Sequence, residues 1–358
     1  MTRIALLGAT GSIGRQALEI IESHPELELC AAMSGVNPLE DVVGAHPDAQ
    51  AQVGGDPTRL LEATEPDVVL NAIVGFAGIR ATLWALDQGV TLALANKESL
   101  VAGGVLAQAA QARGGGLLIP VDSEHSAIYQ CLEGRELATV DSLVVTASGG
   151  PFRGRSRDEL GTATVEEALA HPTWSMGPKI TVDSATLANK GLELIEAHWL
   201  FGVAYDRIEV VVHPSSIVHG LVRFRDGAAL AHVGYPDMRV PISYALTYPE
   251  RAGTPVPALD LSKGLSLAFE PPDVEAFPLL RLAREAGENG GTYPCAFNAA
   301  NEVAVAAFLA GRIGFLDIAA TVEETLAHVD GISAWTLEEL VAADEEARRI
   351  AERRLVAA

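Results

Sequence analysis

The first third of the chain alternates between two hydrophobic periods. Short apolar runs at Arg3–Leu7, Leu27–Met33, Val68–Ile73, Thr91–Ala95 and Leu117–Pro120 are too brief for helices and lack polar alternation, as expected of strands covered on both faces. Segments of helical period separate them at 38–46, 77–88 and 98–112, and an amphipathic stretch follows the first run to about Ser23. Strands alternating with helices predict a parallel sheet clothed on both sides. Further on, Thr146 ends a strand that runs into a glycine-rich turn, Ile208–Val212 reads as another strand, and Ser184 onward reads as one helix continuing to Leu200. Pro249 to Pro278 is proline-rich and reads as a linker. A helix opening at Asn298 and ending near Ala310, a second from Gly314 and a charged amphipathic tail from Leu337 predict a small helical domain. The expected organisation is α/β: a Rossmann-like parallel-sheet domain over 1–122, an α+β domain over 123–247, a linker over 248–278 and a helical domain over 279–358.

Ligands of parallel sheets bind beyond the carboxyl ends of the strands. The segments there are Thr10–Ile13, Gly35–Asn37, Asn71–Gly75, Asn96–Ser99 and Asp122–Glu124. The first belongs to Gly8-Ala-Thr-Gly11-Ser-Ile-Gly14, a glycine turn opening a helix whose free N–H groups suit a phosphate. Its G-x-x-G-x-x-G spacing is one residue off the commoner dinucleotide pattern, and a tight structural turn is the competing reading. The second strand ends in Ser-Gly-Val-Asn, with neither an acid for a ribose hydroxyl nor a base for a 2′-phosphate, so local chemistry leaves the nucleotide open.

Asp122 and Glu124, two residues apart at a strand end, suit a hard divalent ion, and Glu193 could supply a third oxygen ligand. A plain helix N-cap explains the first two equally well. Asn189, Lys190 and Glu193 are spaced three and four apart and can share one helical face, either as a ligand site or as a solvated face with one ion pair. Ser148 and Ser184 are candidate phosphate donors, and His213 ends the 208–212 strand. Pro172, Gly177 and Pro178 break regular structure, which suits a covering loop at 171–177.

Composition narrows the options. The formal charge of −22 argues against nucleic acid or an anionic membrane as partner. No apolar run approaches the ~18 residues of a membrane span, and the amino terminus reads as a strand rather than a signal peptide. Three scattered cysteines match no metal or disulfide pattern and fit a reducing cytoplasm. Of 25 basic residues only Lys97, Lys179, Lys190 and Lys263 are lysines, and a lysine kept where arginine is preferred suits a site needing a compact point charge.

The blocks GATGSIG (8–14), LANKESLV (94–101), PVDSEHSAI (120–128), ASGGPFR (147–153), HPTWSMGPKITVDSATLANKGLELIEAHWLF (171–201), HPSSIVHG (213–220) and NAANEVAVAAFL (298–309) together resemble the 1-deoxy-D-xylulose 5-phosphate reductoisomerase family. The resemblance implies a V-shaped, homodimeric, NADPH-dependent enzyme using Mg²⁺, Mn²⁺ or Co²⁺. It would convert 1-deoxy-D-xylulose 5-phosphate to 2-C-methyl-D-erythritol 4-phosphate in the non-mevalonate isoprenoid route. It implies Asp122, Glu124 and Glu193 as metal ligands, with Lys97, Ser123 and Glu124 facing the oxygenated carbons. Ser148, His171, Ser184, Asn189 and Lys190 would surround the phosphate. Thr10, Gly11, Ser12, Ile13, Gly35, Val36, Asn37, Asn96, Glu98 and Gly177 would meet the nucleotide, and Trp174 and Met176 would lie on the closing loop, Met176 near the cofactor. Lys97, Glu124 and His171 are the catalytic candidates. Val36 occupies a place where the family commonly has a basic residue, which implies a weakened preference for NADPH over NADH. A metal-dependent sugar-phosphate aldolase or isomerase, or a non-catalytic nucleotide sensor, would share parts of the pattern.

Overall fold

The computed structural model describes residues 1–357 and divides the chain into two compact units. The first comprises Met1–Leu100, Gly104–Gln130 and Asp237–Leu259, and the second Val101–Gly103, Cys131–Pro236 and the chain from Asp260.

In the first unit β1 (Thr2–Leu7), β2 (Leu27–Ser34), β3 (Gln50–Val53), β4 (Val68–Asn71), β5 (Thr91–Leu94) and β6 (Leu118–Pro120) form one sheet, ordered β3-β2-β1-β4-β5-β6. Among the described residues every pairing in this sheet is parallel, so the order is that of a Rossmann-type sheet, reversing between β1 and β4. The connecting helices are α1 (Ser12–Ser23), α2 (Glu40–Ala45), α3 (Pro57–Thr64), α4 (Ile79–Asp87), α5 (Lys97–Gly114) and α6 (Ser123–Leu132). The predicted strands and helices are all present. The β3–α3 pair was not foreseen: Gln50–Val53 is a largely exposed edge strand with little apolar signal. Gly8 (φ +89) and Gly14 make the first turn possible, since a Cβ on Gly14 would lie 2.2 Å from the Gly8 carbonyl oxygen.

The second unit carries α7 (Arg157–Leu160), α8 (Val165–Leu169), α9 (Pro178–Ala185), α10 (Ala188–Phe201) and a four-stranded sheet. Its strands β7 (Val140–Ala147), β8 (Ile208–Val212), β9 (Val218–Phe224) and β10 (Ala229–Val233) are ordered β10-β9-β7-β8. The chain then returns to the first unit as α11 (Arg239–Thr247), where Ile242 and Leu246 join the core formed by Ile4, Ile20, Leu29, Leu70 and Ile119. The second unit ends in α12 (Leu279–Asn289), α13 (Tyr293–Leu309), α14 (Phe315–His328) and α15 (Leu337–Ala357). Among the described residues no helix is long and apolar enough to cross a membrane. Cys30, Cys131 and Cys295 are buried thiols.

Two expected helix starts need correction. The helix containing Ser184 does not run on to Leu200: Leu187 adopts a left-handed conformation (φ 59) and separates α9 from α10. The Thr186 hydroxyl closes the break, donating to the Val182 carbonyl at 3.1 Å and accepting from the Ala188 amide at 3.3 Å. Asn298 does not open its helix. It lies more than a turn inside α13, which starts at Tyr293 with a proline in the first turn, where a missing N–H costs no hydrogen bond.

Helix α10 lies close to α12 because Gly191 has no side chain; a Cβ there would sit 2.5 Å from the Ala283 Cβ and 3.2 Å from the Leu279 carbonyl oxygen. Gly191→Ala should therefore lower stability by ~1–3 kcal/mol through overpacking, read as a lower urea midpoint at unchanged slope.

Candidate active site

In the first unit the candidate cofactor residues lie at the carboxyl ends of β1, β2 and β5. The Asn37 amide donates to the Thr10 hydroxyl at 3.2 Å and so ties the first two loops together. Ser34 donates to the Asn37 carbonyl, shaping the Gly35–Asn37 turn. The first amides of α1, from Ser12 and Ile13, lie in the turn whose N–H groups have no acceptor within the helix. Val36 is 88% exposed. Asn96, at the N-cap of α5, reaches back with its amide to the carbonyls of Ile73 at 2.7 Å and Gly75 at 2.8 Å, and to Glu98 at 3.3 Å. Asn96 thereby joins the ends of β4 and β5. This donor set, a glycine turn at a helix start beside two further strand ends, fits a dinucleotide.

Beyond β6 the chain passes directly into α6. The Asp122 carboxylate accepts from the Glu124 amide at 3.3 Å, so the capping role anticipated for it is present. The same carboxylate lies 2.5 Å from the Lys97 ammonium and 3.6 Å from the ring of fully buried His125. Ser123 donates to Glu124 at 2.5 Å. Lys97, Asp122, Ser123 and Glu124 thus form one cluster of oxygen donors and a single compact cation, a ligand set suited to a hard divalent ion. His125 was not singled out from the sequence; the signal available was its i+3 spacing from Asp122.

In the second unit α10 brings Asn189, Lys190 and Glu193 onto one face, as their spacing predicted. The Asn189 amide donates to Glu193 Oε1 at 2.5 Å and Lys190 Nζ donates to Oε2 at 2.6 Å. Glu193 is 1% exposed and Lys190 5%, so this is no solvated face. Ser184 lies in the last turn of α9. The turn after β7 rests directly on it: a Cβ on Gly150 would meet the Ser184 carbonyl oxygen at 2.7 Å.

The Ser148 hydroxyl in that turn lies 3.0 Å from His171 Nε2 and accepts from the Gly150 amide at 3.1 Å. His171 Nδ1 accepts from the amides of Thr173 and Trp174, at 3.2 and 2.9 Å. An Nδ1 that accepts twice carries no proton, so in the neutral ring Nε2–H donates to Ser148. The segment 171–177 wraps around this ring without regular structure, and Trp174 packs edge-on against His219 at 6.3 Å between ring centres. Met176 is partly buried, and Gly177 is the N-cap of α9. Burial, and then the charge of Lys190, hold His171 below the usual histidine range. Ser148, His171 and Lys190 therefore share one locus, with Ser184 packed beneath the same turn. His213 has a different character: its ring is fully buried, bonded to the Ala268 carbonyl at 2.7 Å and to Ser215 at 2.9 Å, and stacked on Phe269. It ties down the 268–270 segment.

A doubly wound, parallel-sheet α/β protein with a glycine-turned helix start, beside buried and partly buried clusters of carboxylate, lysine and serine, has the architecture of a dinucleotide-binding enzyme. Comparison with known proteins is specific. The family described as 1-deoxy-D-xylulose 5-phosphate reductoisomerase matches residues 4–53 and 39–104, its C-terminal domain matches 118–201, and the DXP reductoisomerase C-terminal domain matches 233–350. The chain is 52% identical over 358 residues to a 1-deoxy-D-xylulose 5-phosphate reductoisomerase of Leifsonia xyli, covering 99% of this chain and 98% of that one. It is 51% identical over 370 residues to the enzyme of that name from Rhodococcus jostii, covering 97% and 92%. Among solved structures, the reductoisomerase from Zymomonas mobilis in complex with NADPH superposes with a TM-score of 0.89 at 42% identity over 99% of each chain. A reductoisomerase in complex with NADPH, fosmidomycin and magnesium superposes with a TM-score of 0.90 at 39% identity over 99% of this chain and 98% of that one. The chain belongs to the 1-deoxy-D-xylulose 5-phosphate reductoisomerase family.

Because the folded state holds His171 below its ordinary value, the unfolded chain binds the extra proton more readily. Stability then rises with pH up to about 6.5 and is lost as pH falls below it. Urea midpoints measured from about pH 7.5 down to about pH 5.5 should fall less steeply in His171→Gln than in the unaltered chain.

Proposed function

We propose that the chain catalyses the NADPH-dependent rearrangement and reduction of 1-deoxy-D-xylulose 5-phosphate to 2-C-methyl-D-erythritol 4-phosphate, in the non-mevalonate isoprenoid route. The observation that carries this is the match to named reductoisomerases over essentially the whole chain. The NADPH and magnesium of the solved relatives come to this chain with it. The glycine turn and the Asn37 and Asn96 contacts support Thr10–Ile13, Gly35–Asn37, Asn96 and Glu98 as the nucleotide's partners, with Met176 and Gly177 completing the set. Asp122, Glu124 and Glu193 are the proposed metal ligands. When bound, a divalent cation would polarise the substrate carbonyl and lower the cost of an alkoxide, and the dinucleotide would supply hydride.

The protein's own part is positioning. Lys97 and Ser123 hold the Asp122 and Glu124 carboxylates and face the oxygenated carbons. Ser148, Ser184, Asn189 and the His171 ring offer hydrogen bonds to the phosphate. Lys190 answers its charge of roughly −1.5 to −2, which a chain of net charge −22 otherwise repels. The segment 171–177, with Trp174, would close over the substrate and exclude water from the reactive intermediate. Binding energy gained at the phosphate would help drive that closure. A homodimer working in a reducing cytoplasm, to which three buried thiols are suited, completes the reading. So does the fourfold division into nucleotide, catalytic, linker and helical parts at 122, 247 and 278.

The test is nicotinamide absorbance with 1-deoxy-D-xylulose 5-phosphate and Mg²⁺. An aldolase, an isomerase or a nucleotide sensor would leave it unchanged, and the family assignment of activity would then be wrong. Run with each nucleotide in turn, the same assay should show NADPH favoured over NADH by a narrowed margin, because Val36 brings no cation to a 2′-phosphate; full loss of NADH turnover would contradict that. Glu193→Gln should lower metal-dependent kcat by about 10²-fold or more while leaving the NADPH dissociation constant within about twofold, and unchanged turnover at saturating metal would remove Glu193 from the ligand set.

A further inference from the structure

Asp183 immediately precedes Ser184, is 1% exposed, and has no part in the chemistry above. Both of its oxygens are engaged. Asn301, fully buried in α13, donates its amide to Oδ1 at 2.7 Å, and Lys179 lies 2.8 Å from Oδ2. A carboxylate can only accept, so it fixes which way the Asn301 amide faces. Lys179 stands in the first turn of α9, directly after the 171–177 segment, and Asp183 stands in its last turn. The Lys179–Asp183 pair therefore spans this short helix from its first turn to its last, and the bond to Asn301 ties it to α13. Holding two helices together needs no charge, since apolar pairs of similar volume commonly serve as well or better. What a hydrogen-bonded carboxylate adds is direction.

We infer that Asp183, held by Lys179 and Asn301, is a positioning residue for the substrate's phosphate. It sets the rotation of α9, and with it the direction of the Ser184 hydroxyl and the anchor point of the 171–177 segment. The Ser148 turn resting on the Ser184 backbone transmits the same register to the His171 ring. The inference rests on the reading of Ser184, Ser148 and His171 as phosphate partners.

The experiment is steady-state kinetics on the full chain with saturating Mg²⁺ and NADPH, together with calorimetric titration of inorganic phosphate. Asn301→Asp sets two carboxylates against each other. It should raise KM for 1-deoxy-D-xylulose 5-phosphate about tenfold, and weaken phosphate binding by a like factor, with kcat and NADPH affinity within about twofold. Exchanging the partners, Asp183→Asn with Asn301→Asp, restores a donor opposite an acceptor and should recover KM to within about threefold of the original. A lower melting point with KM and phosphate affinity unmoved would make the network merely structural and overturn the inference, as would a joint fall in kcat and NADPH affinity. If Asn301→Asp does not fold, Lys179→Met at the partly exposed end of the network decides: phosphate binding should weaken about threefold, and an unchanged value overturns the inference. If the unaltered chain consumes no NADPH with this substrate, the proposed reaction fails by itself, and the phosphate titrations still test the positioning.

Discussion

The constraint on which the rest of the structure depends is that negative charge is kept inside the protein. Glu193 and Asp183 are each 1% exposed, and an isolated carboxylate in such a place costs several kcal/mol of lost hydration. Each is met by a lysine, at 2.6 and 2.8 Å, and Asp122 is met in the same way by Lys97 at 2.5 Å. Three of the chain's four lysines are spent on these pairs, whereas Lys263 is largely exposed beside Asp260. Two of the pairs, Lys179–Asp183 and Lys190–Glu193, close within about one turn of their own helix, while Lys97–Asp122 joins two separate elements. Such pairs are weak sources of stability, and their value lies in specifying one arrangement. That is what a site assembled from polar side chains requires.

Helix α10 shows how far packing serves the same end. Gly191 sits between Lys190 and Leu192, and its missing side chain lets α12 approach the helix that carries the Lys190–Glu193 pair. A backbone that cannot shift keeps two partners of a buried pair at bonding distance. In the first unit the equivalent rigidity comes from the sheet, whose strand ends Asn96 and Asn37 stitch together.

Much of this was legible in the residues alone. Fully buried strands announce themselves as unbroken apolar runs, so five of the six parallel strands could be read directly, with α1, α2, α4 and α5 among the helices between them. β3 could not, because an exposed edge strand has no reason to be apolar. The shared face of Asn189, Lys190 and Glu193 followed from helical spacing. The break at Leu187 did not: nothing in a leucine signals a left-handed backbone, and it is the Thr186 hydroxyl, together with the packing on either side, that holds it there. The glycine-rich turn pointed to Ser148 and the resemblance added His171, but their hydrogen bond joins residues 23 positions apart and is a fact of tertiary structure. Asp183 and Asn301 were overlooked for the same reason, since 118 positions separate them and neither looks unusual in its own neighbourhood.

The three cysteines have a practical consequence. All are buried, and burial pushes the thiols of Cys30 and Cys295 above the ordinary range, so little thiolate forms at neutral pH. Alkylating reagents should find the native protein nearly inert. A single cysteine engineered at exposed Ser175 could then carry a fluorophore or spin label without removing any native residue. Its signal would follow the 171–177 segment alone, giving a direct optical or magnetic view of that segment during turnover.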